Sequence, residues 1–150
     1  MPTAVDHLRA AGLRVTAQRG AVLDVLSEAS GDHLTAAAVA GLVRERLGDV
    51  STQAIYDCLD ALTRAGLASR IEPAGQPARF EARVGDNHHH LVCRSCGVVR
   101  DVDCAVGAAP CLSPAEDHGF TLETAEITYW GLCPRCAAEE QYPTTGRTVL

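Results

Sequence analysis

Two Cys-x-x-Cys pairs, Cys93-Arg94-Ser95-Cys96 and Cys133-Pro134-Arg135-Cys136, carry the strongest chemical signal in the chain. Each turn offers two sulfurs, and four thiolates in a tetrahedron are what a structural Zn2+ takes. The 36 residues between the pairs exceed the usual loop of a zinc ribbon, so the ion is expected to clamp distant segments, a strand to a terminal helix. Arg94 and Arg135 are placed to offset the charge of roughly −2 that four thiolates leave around a divalent ion. A redox dithiol is the alternative reading. That chemistry usually comes as one such motif beside a βαβ unit, and no βαβ pattern is present. Cys104 and Cys111 flank a Gly- and Pro-containing loop and could oxidise reversibly or close into a disulfide, though incidental thiols are the plainer reading. Cys58 falls on an apolar stripe and is expected to be an inert buried thiol.

Directly before the first pair stand His88, His89 and His90. On a loop they would only be solvated. On a strand, His88 and His90 share one face and His89 faces the other way, where it would be idle. Asp101 on the next strand, Glu81 at the end of an earlier one and His33 before a helix complete a set of three nitrogens and two oxygens. Such a set suits a divalent transition metal such as Fe2+ or Mn2+, and Zn2+ fits nearly as well. His33 and Glu81 belong to the first half of the chain, and His88, His90 and Asp101 to the second. A metal held by all five would fix the angle between two domains.

The elements that must position these residues follow from periodicity. Helices are expected over residues 4–11, from Thr16 with Val22, Val25, Leu26 and Ala29 inward, from Thr35 with Val39, Leu42, Val43 and Leu47 inward, and from Ser51 with Ile55, Cys58, Leu59 and Leu62 inward. Ser51 is a good N-cap. Segments 66–71 and 78–83 alternate like strands around the turn Pro73–Pro77. Helices followed by a β-hairpin make a winged helix-turn-helix. The fourth helix would present Thr52, Gln53, Tyr56, Asp57 and Asp60 outward, with Thr52 and Gln53 at the end that reaches base edges and Tyr56 within reach of a thymine methyl or a phosphate. Arg14, Arg19, Arg70 and Arg79 could hold the phosphate backbone on either side. Asp57 and Asp60 weigh against that reading, because acids near phosphates are unfavourable; a plain helical bundle is the alternative.

After a polar hinge at 84–87 the character changes. Strands are expected at Leu91–Cys93, Val98–Val102 and Phe120–Trp130, a single helical turn at Pro114–His118 and a terminal helix over 134–141, with a mobile tail at 143–150. The expected architecture is α+β: a winged-helix DNA-binding domain at 1–83, then a small α/β metal-binding and dimerisation domain at 88–142. The Tyr129-Trp130 strand end offers an apolar edge that a second copy could pair with, so a homodimer is expected.

Composition constrains the function. The net charge is −6, divided as nine Arg against ten acids in residues 1–83 and four Arg against nine acids in 84–150. A DNA binder with this balance must rely on local Arg placement. Every basic residue is Arg, which suits phosphate contacts. With six aromatic residues in all, the core must rest on Leu, Val, Ala and Ile, and a metal staple would help a domain this small. Asp6, His7 and Arg9 interrupt any apolar leader, and no run approaches the ~18 apolar residues of a membrane span. A cytoplasmic location with no membrane partner is expected, where seven Cys read as metal ligands or redox thiols before disulfides.

The succession Gly12-Leu13-Arg14-Val15-Thr16-Ala17-Gln18-Arg19, Thr35-Ala36, Ser51-Thr52-Gln53-Ala54-Ile55-Tyr56-Asp57, Arg79-Phe80-Glu81, His88-His89-His90-Leu91-Val92-Cys93-x-x-Cys96-Gly97 and Cys133-x-x-Cys136 resembles the ferric uptake regulator (Fur) family over roughly residues 5–140. Val84-Gly85-Asp86-Asn87, Val102–Gly107 and Trp130–Cys133 resemble its actinobacterial subgroup linked to catalase-peroxidase genes. The resemblance implies a dimeric winged-helix repressor, not an enzyme, that binds a double-stranded DNA operator. It implies a structural Zn2+ on the four cysteines and a regulatory Fe2+ or Mn2+ on His33, Glu81, His88 and His90, joined by Asp101 in peroxide-sensing members. Peroxide would then lift repression of a catalase-peroxidase gene and of the regulator's own gene, through oxidation of a His ligand when Fe2+ is bound. Iron-responsive and zinc-responsive repressors are the closer alternatives; a zinc thiol redox protein is a distant one. Where relatives often build a further metal site, this chain has Asn87, His89, Ala108 and Ala125, and where many carry Arg after the helix Tyr, it has Asp57.

Overall fold

The computed structural model describes residues 1–29, 32–82, 84, 86, 88–105 and 112–141. The chain divides into two compact units, Met1–Asp86 and Asn87–Leu150.

The first unit holds α1 (Ala4–Ala10), α2 (Ala17–Glu28), β1 (Leu34–Thr35), α3 (Ala36–Leu47), α4 (Thr52–Arg64), β2 (Ser69–Ile71) and β3 (Arg79–Glu81). Each helix opens on a hydroxyl that accepts from an otherwise orphaned backbone N–H: Thr3 from Asp6, Thr16 from Arg19, Thr35 from Ala38 and Ser51 from Ala54. At the end of α4, Gly66 takes φ 74°, a left-handed conformation that lets Leu67 N–H turn back to the Leu62 carbonyl at 2.9 Å. The core is one apolar cluster in which Leu8, Val22, Leu26, Val39, Val43, Ile55, Leu59, Leu62 and Phe80 are buried. Fully burying each such side chain stabilises by roughly 1.5–3 kcal/mol.

Two expectations for this unit are corrected. Leu42 and Leu47 are exposed, at 39% and 41%, whereas Ala36, Val39, Ala40 and Val43 are buried. The inward stripe of α3 is therefore carried by Ala and Val at helical spacing. Leu34–Thr35, where no strand is expected, is β1; it pairs antiparallel with β3, so the sheet runs β1-β3-β2.

The second unit holds β4 (His88–Cys93), β5 (Val99–Asp103), β6 (Thr128–Gly131) and α5 (Pro134–Gln141). β5 pairs antiparallel with β4 on one side, and β6 pairs parallel on the other, giving the order β5-β4-β6. The long strand expected over Phe120–Trp130 is only Thr128–Gly131, and Pro114–His118 holds no helical turn; the chain instead turns at His118–Gly119. Among the described residues, the buried apolar side chains of this unit are only Val92, Cys93, Val99 and Cys136, so its core is thin. No helix is long and apolar enough to cross a membrane among the described residues.

Candidate metal centres and DNA-reading face

The four cysteines of the two pairs come together within the second unit. Cys93 ends β4, Cys96 closes the turn after it, Cys133 precedes α5 and Cys136 lies in its first turn. Their sulfurs all lie within 4.8 Å of one another. Cys96 Sγ and Cys133 Sγ are 3.8 Å apart, and a tetrahedron with Zn–S bonds of about 2.3 Å has edges of about 3.8 Å. The donor set thus fits zinc in chemistry and in spacing. The first turn depends on Gly97, whose φ of 78° allows its N–H to reach the Cys93 carbonyl at 2.9 Å.

Electrostatics at the cluster point the same way. Backbone N–H groups, that of Cys133 first and then that of Cys96, pull the Cys93 thiol down to about 6. Cys133 is lowered chiefly by the backbone N–H of Cys136. Cys136 is pushed up to about 11, first by hydrogen bonding with Cys133. Sulfurs this close cannot all be anionic without a cation among them. Arg135 is held charged mainly by hydrogen bonding with Cys96. Arg94 pairs instead with Glu140, at 3.7 Å.

Each unit, taken by itself, brings nitrogen and oxygen donors together. In the first, the β1–β3 register sets Leu34 opposite Phe80, which brings His33 opposite Glu81. His33 Nε2 lies 3.0 Å from Glu81 Oε2, and both residues are buried. Arg79, expected at the phosphate backbone, donates from its guanidinium to the His33 carbonyl at 3.2 Å and so braces this pair. In the second unit, His90 is the cross-strand partner of Asp101. Asp101 Oδ1 lies 3.4 Å from His90 Nε2 and 3.6 Å from His88 Nε2, and the two imidazole centroids are 5.0 Å apart. His89 points to the opposite face, as its position in the strand requires, but it is not idle: its buried ring accepts the Ile127 N–H through Nδ1 at 3.3 Å.

The outward face of α4 carries Thr52, Gln53, Tyr56, Asp57 and Asp60, all exposed. Thr52 Oγ1 accepts from the Arg44 guanidinium at 3.2 Å, while Arg44 Nε donates to the Val50 carbonyl at 2.9 Å. Gln53 Nε2 donates to Asp57 Oδ1 at 2.9 Å, and Asp60 pairs with Arg64 at 3.1 Å. Both acids on this face are therefore engaged within the helix. Arg19 donates to the Arg14 carbonyl at 2.9 Å, and Arg70 pairs with Glu72 at 3.2 Å. Cys58 lies in the core, and burial raises its thiol pKa. Cys104 is half-buried; Cys111 lies outside the described residues, as does any pairing of the two.

The family model described as "Ferric uptake regulator family" matches residues 10–130. The chain belongs to the ferric uptake regulator family. It is 54% identical over 140 residues to transcriptional regulator FurA of Mycobacterium tuberculosis, covering 93% of this chain and 94% of that protein. It is 53% identical over 142 residues to ferric uptake regulation protein 2 of Mycolicibacterium fortuitum, covering 91% and 97%. The solved ferric uptake regulator of Pseudomonas aeruginosa with manganese superposes with a TM-score of 0.65 at 28% identity, covering 87% of this chain and 98% of that one. This Fur-family chain is accordingly a metal-dependent, DNA-binding regulator of transcription and not an enzyme. Sequence reasoning missed three features: the brace from Arg79 to His33, the Gln53–Asp57 hydrogen bond and the Ile127–His89 hydrogen bond. The second had a signal, since Gln and Asp four apart on a helix are neighbours.

Proposed function

We propose that the chain is a homodimeric repressor of the cytoplasm whose grip on its operator is set by one regulatory divalent ion, Fe2+ or Mn2+, with Zn2+ able to substitute. The ligands are His33 and Glu81 from the first unit and His88, His90 and Asp101 from the second. The observation that carries this reading is the convergence of nitrogen and carboxylate donors in both units: His33 on Glu81 at 3.0 Å, and His88 and His90 on one oxygen of Asp101 within 3.6 Å. Mixed imidazole and carboxylate donors suit exchangeable first-row ions, whereas the four thiolates keep a permanent Zn2+.

Ligands drawn from both units make occupancy a statement about their arrangement. The ion favours whichever arrangement lets all five donors reach it, and the repressor binds DNA in that form. If this form were ~1% populated without the ion, a differential affinity of about 10⁴ would bring it to ~99%. The second copy docks along β6, where Tyr129 and Trp130 are about half exposed beside Leu91. On the DNA side, Arg14, Arg19, Thr52, Gln53, Tyr56 and Arg70 make the contacts.

The signal in this reading is peroxide, as in the catalase-peroxidase-linked subgroup that the chain resembles, with a catalase-peroxidase gene and the regulator's own gene as targets. Fe2+, when bound, supplies one-electron chemistry with peroxide, and the residues exposed to it are His33, His88 and His90. Iron itself is the competing signal, favoured by the names of the Mycolicibacterium relatives. One experiment separates them: operator binding by the zinc-retaining protein loaded with Fe2+, Mn2+ or Zn2+, with and without peroxide, followed by peptide mass analysis at His33 and residues 88–90. Peroxide release restricted to the Fe2+ form, with added oxygen on a His, supports peroxide sensing. Equal release from the Fe2+ and Mn2+ forms overturns it.

A further inference from the structure

Asp57 poses a problem for a DNA-reading helix, because among the described residues its carboxylate has no cation: Asp60 takes Arg64, but Asp57 takes the amide of Gln53, at 2.9 Å. A carboxylate only accepts hydrogen bonds, so the Gln53 group facing it must be the NH2 and not the carbonyl. The amide orientation is therefore chemically determined. One N–H of Gln53 is committed to Asp57, which leaves one N–H and the Oε1 carbonyl for a base edge.

This remaining pattern is selective. Adenine presents N7 as acceptor and its N6 amino group as donor in the major groove, which one N–H and one carbonyl complement. Guanine presents two acceptors there, N7 and O6. A freely rotating Gln could turn both N–H groups toward guanine; a Gln held by Asp57 cannot, and the nearby negative charge further disfavours an edge made of acceptors. We propose that Asp57 is a specificity-determining positioning residue, which clamps Gln53 so that α4 selects adenine over guanine at the base pair beneath it. The inference rests on the reading that the N-terminal face of α4 enters the major groove, and it adds the residue that decides what is read there.

The test uses the full chain, zinc-retaining and loaded with Mn2+. A randomised duplex library is selected with the wild-type protein, and the recovered duplex and its single-pair swaps are then titrated by fluorescence anisotropy with wild type, Gln53→Ala, Asp57→Ala and Asp57→Asn. All three substitutions fall on exposed positions, and matched thermal melts check that the variants fold. At one recovered position, exchange of A·T for G·C should weaken the wild type by about tenfold or more. Gln53→Ala should lose that discrimination, and Asp57→Ala should reduce it to about twofold. Asp57→Asn, which can accept from Gln53 but can also turn its own NH2 toward Gln53 Oε1, should retain an intermediate discrimination. Full adenine preference in Asp57→Ala overturns the clamp. So does equal loss in Asp57→Ala and Asp57→Asn with tighter binding to every duplex, which would make Asp57 a bulk charge only. Recovery of guanine at that position also overturns it. A wild type that recovers no preferred sequence overturns the groove-reading itself, an outcome distinct from a selective wild type whose preference survives Asp57→Ala.

Discussion

Ile127 donates its backbone N–H to Nδ1 of His89 at 3.3 Å, and the neighbouring His90 N–H returns to the Ile127 carbonyl at 3.1 Å. The middle histidine thus ties the start of β6 to β4, on the face opposite His88 and His90. His89→Ala should leave a partly buried N–H without its acceptor, at a cost of about 1–3 kcal/mol. The expected outcome is a lower melting temperature of the zinc-loaded protein and faster hydrogen exchange at the Ile127 amide. Unchanged exchange at that amide would show that His89 does not hold the strand.

Loss of zinc should divide the molecule. The first unit has a continuous apolar core from Leu8 to Phe80, while the described buried apolar residues of the second include two of the zinc-fitting cysteines themselves, Cys93 and Cys136. Apparent Zn2+ energies of roughly 10–16 kcal/mol in finger peptides exceed what so thin a core supplies. Strong chelation, or Cys96→Ser, should therefore abolish amide protection in β4, β5 and β6 while α2, α3 and α4 remain protected. Protection retained in β4 after verified zinc removal would count against a structural role for the ion.

The proposed regulatory ligands should separate from the structural ones by metal. Glu81→Gln and Asp101→Asn preserve shape and remove one anionic donor each. Each should weaken Mn2+ binding by at least the roughly tenfold that loss of a group merely supporting a ligand costs, with tightly bound zinc still at one per chain. Metal-dependent DNA binding should fall in parallel. Arg79→Ala, which removes the brace on the His33 carbonyl, should weaken Mn2+ binding less than either carboxylate change, as measured by titration calorimetry. If neither carboxylate variant shifts Mn2+ affinity, the five-ligand assignment fails.

What the sequence makes legible here depends on how local the chemistry is. Cys93, Cys96, Cys133 and Cys136 are readable because soft ligands at so short a spacing, in two pairs, seldom occur except around a metal. Ser51 with Ile55, Cys58, Leu59 and Leu62 is readable because a cap and a helical period agree. The His33–Glu81 pair depends on β1, a strand of two residues, too short for alternation to register. The role of His89 depends on β6 lying parallel to β4 across a long connection, which no local pattern encodes. Leu42 and Leu47 mislead because hydrophobicity favours large residues, while the buried face of α3 is Ala36, Val39, Ala40 and Val43. Asp57 reads as unfavourable in isolation, and only its hydrogen bond to Gln53 gives it a place.

Peroxide response, if it belongs to the histidines, should be indifferent to the other thiols. Cys58 lies in the core with its pKa raised by burial, so little thiolate is available for oxidation at neutral pH. Cys104 is half-buried, and the replacement Cys104→Ser together with Cys111→Ser removes any pairing between them. The double variant loaded with Fe2+ should leave its operator at the same peroxide dose as the wild type. The same protein loaded with Mn2+ should stay bound, because Mn2+ does not readily undertake the one-electron step that Fe2+ does. The zinc thiolates are a separate target: a zinc-depleted sample would present four uncoordinated thiols, and their oxidation would release DNA with either ion. Zinc content must therefore be measured alongside anisotropy in every sample. Release that tracks zinc loss in both metal forms would move the sensor from the imidazoles to the four-cysteine cluster, and release that vanishes in the double Ser variant would move it to Cys104 and Cys111.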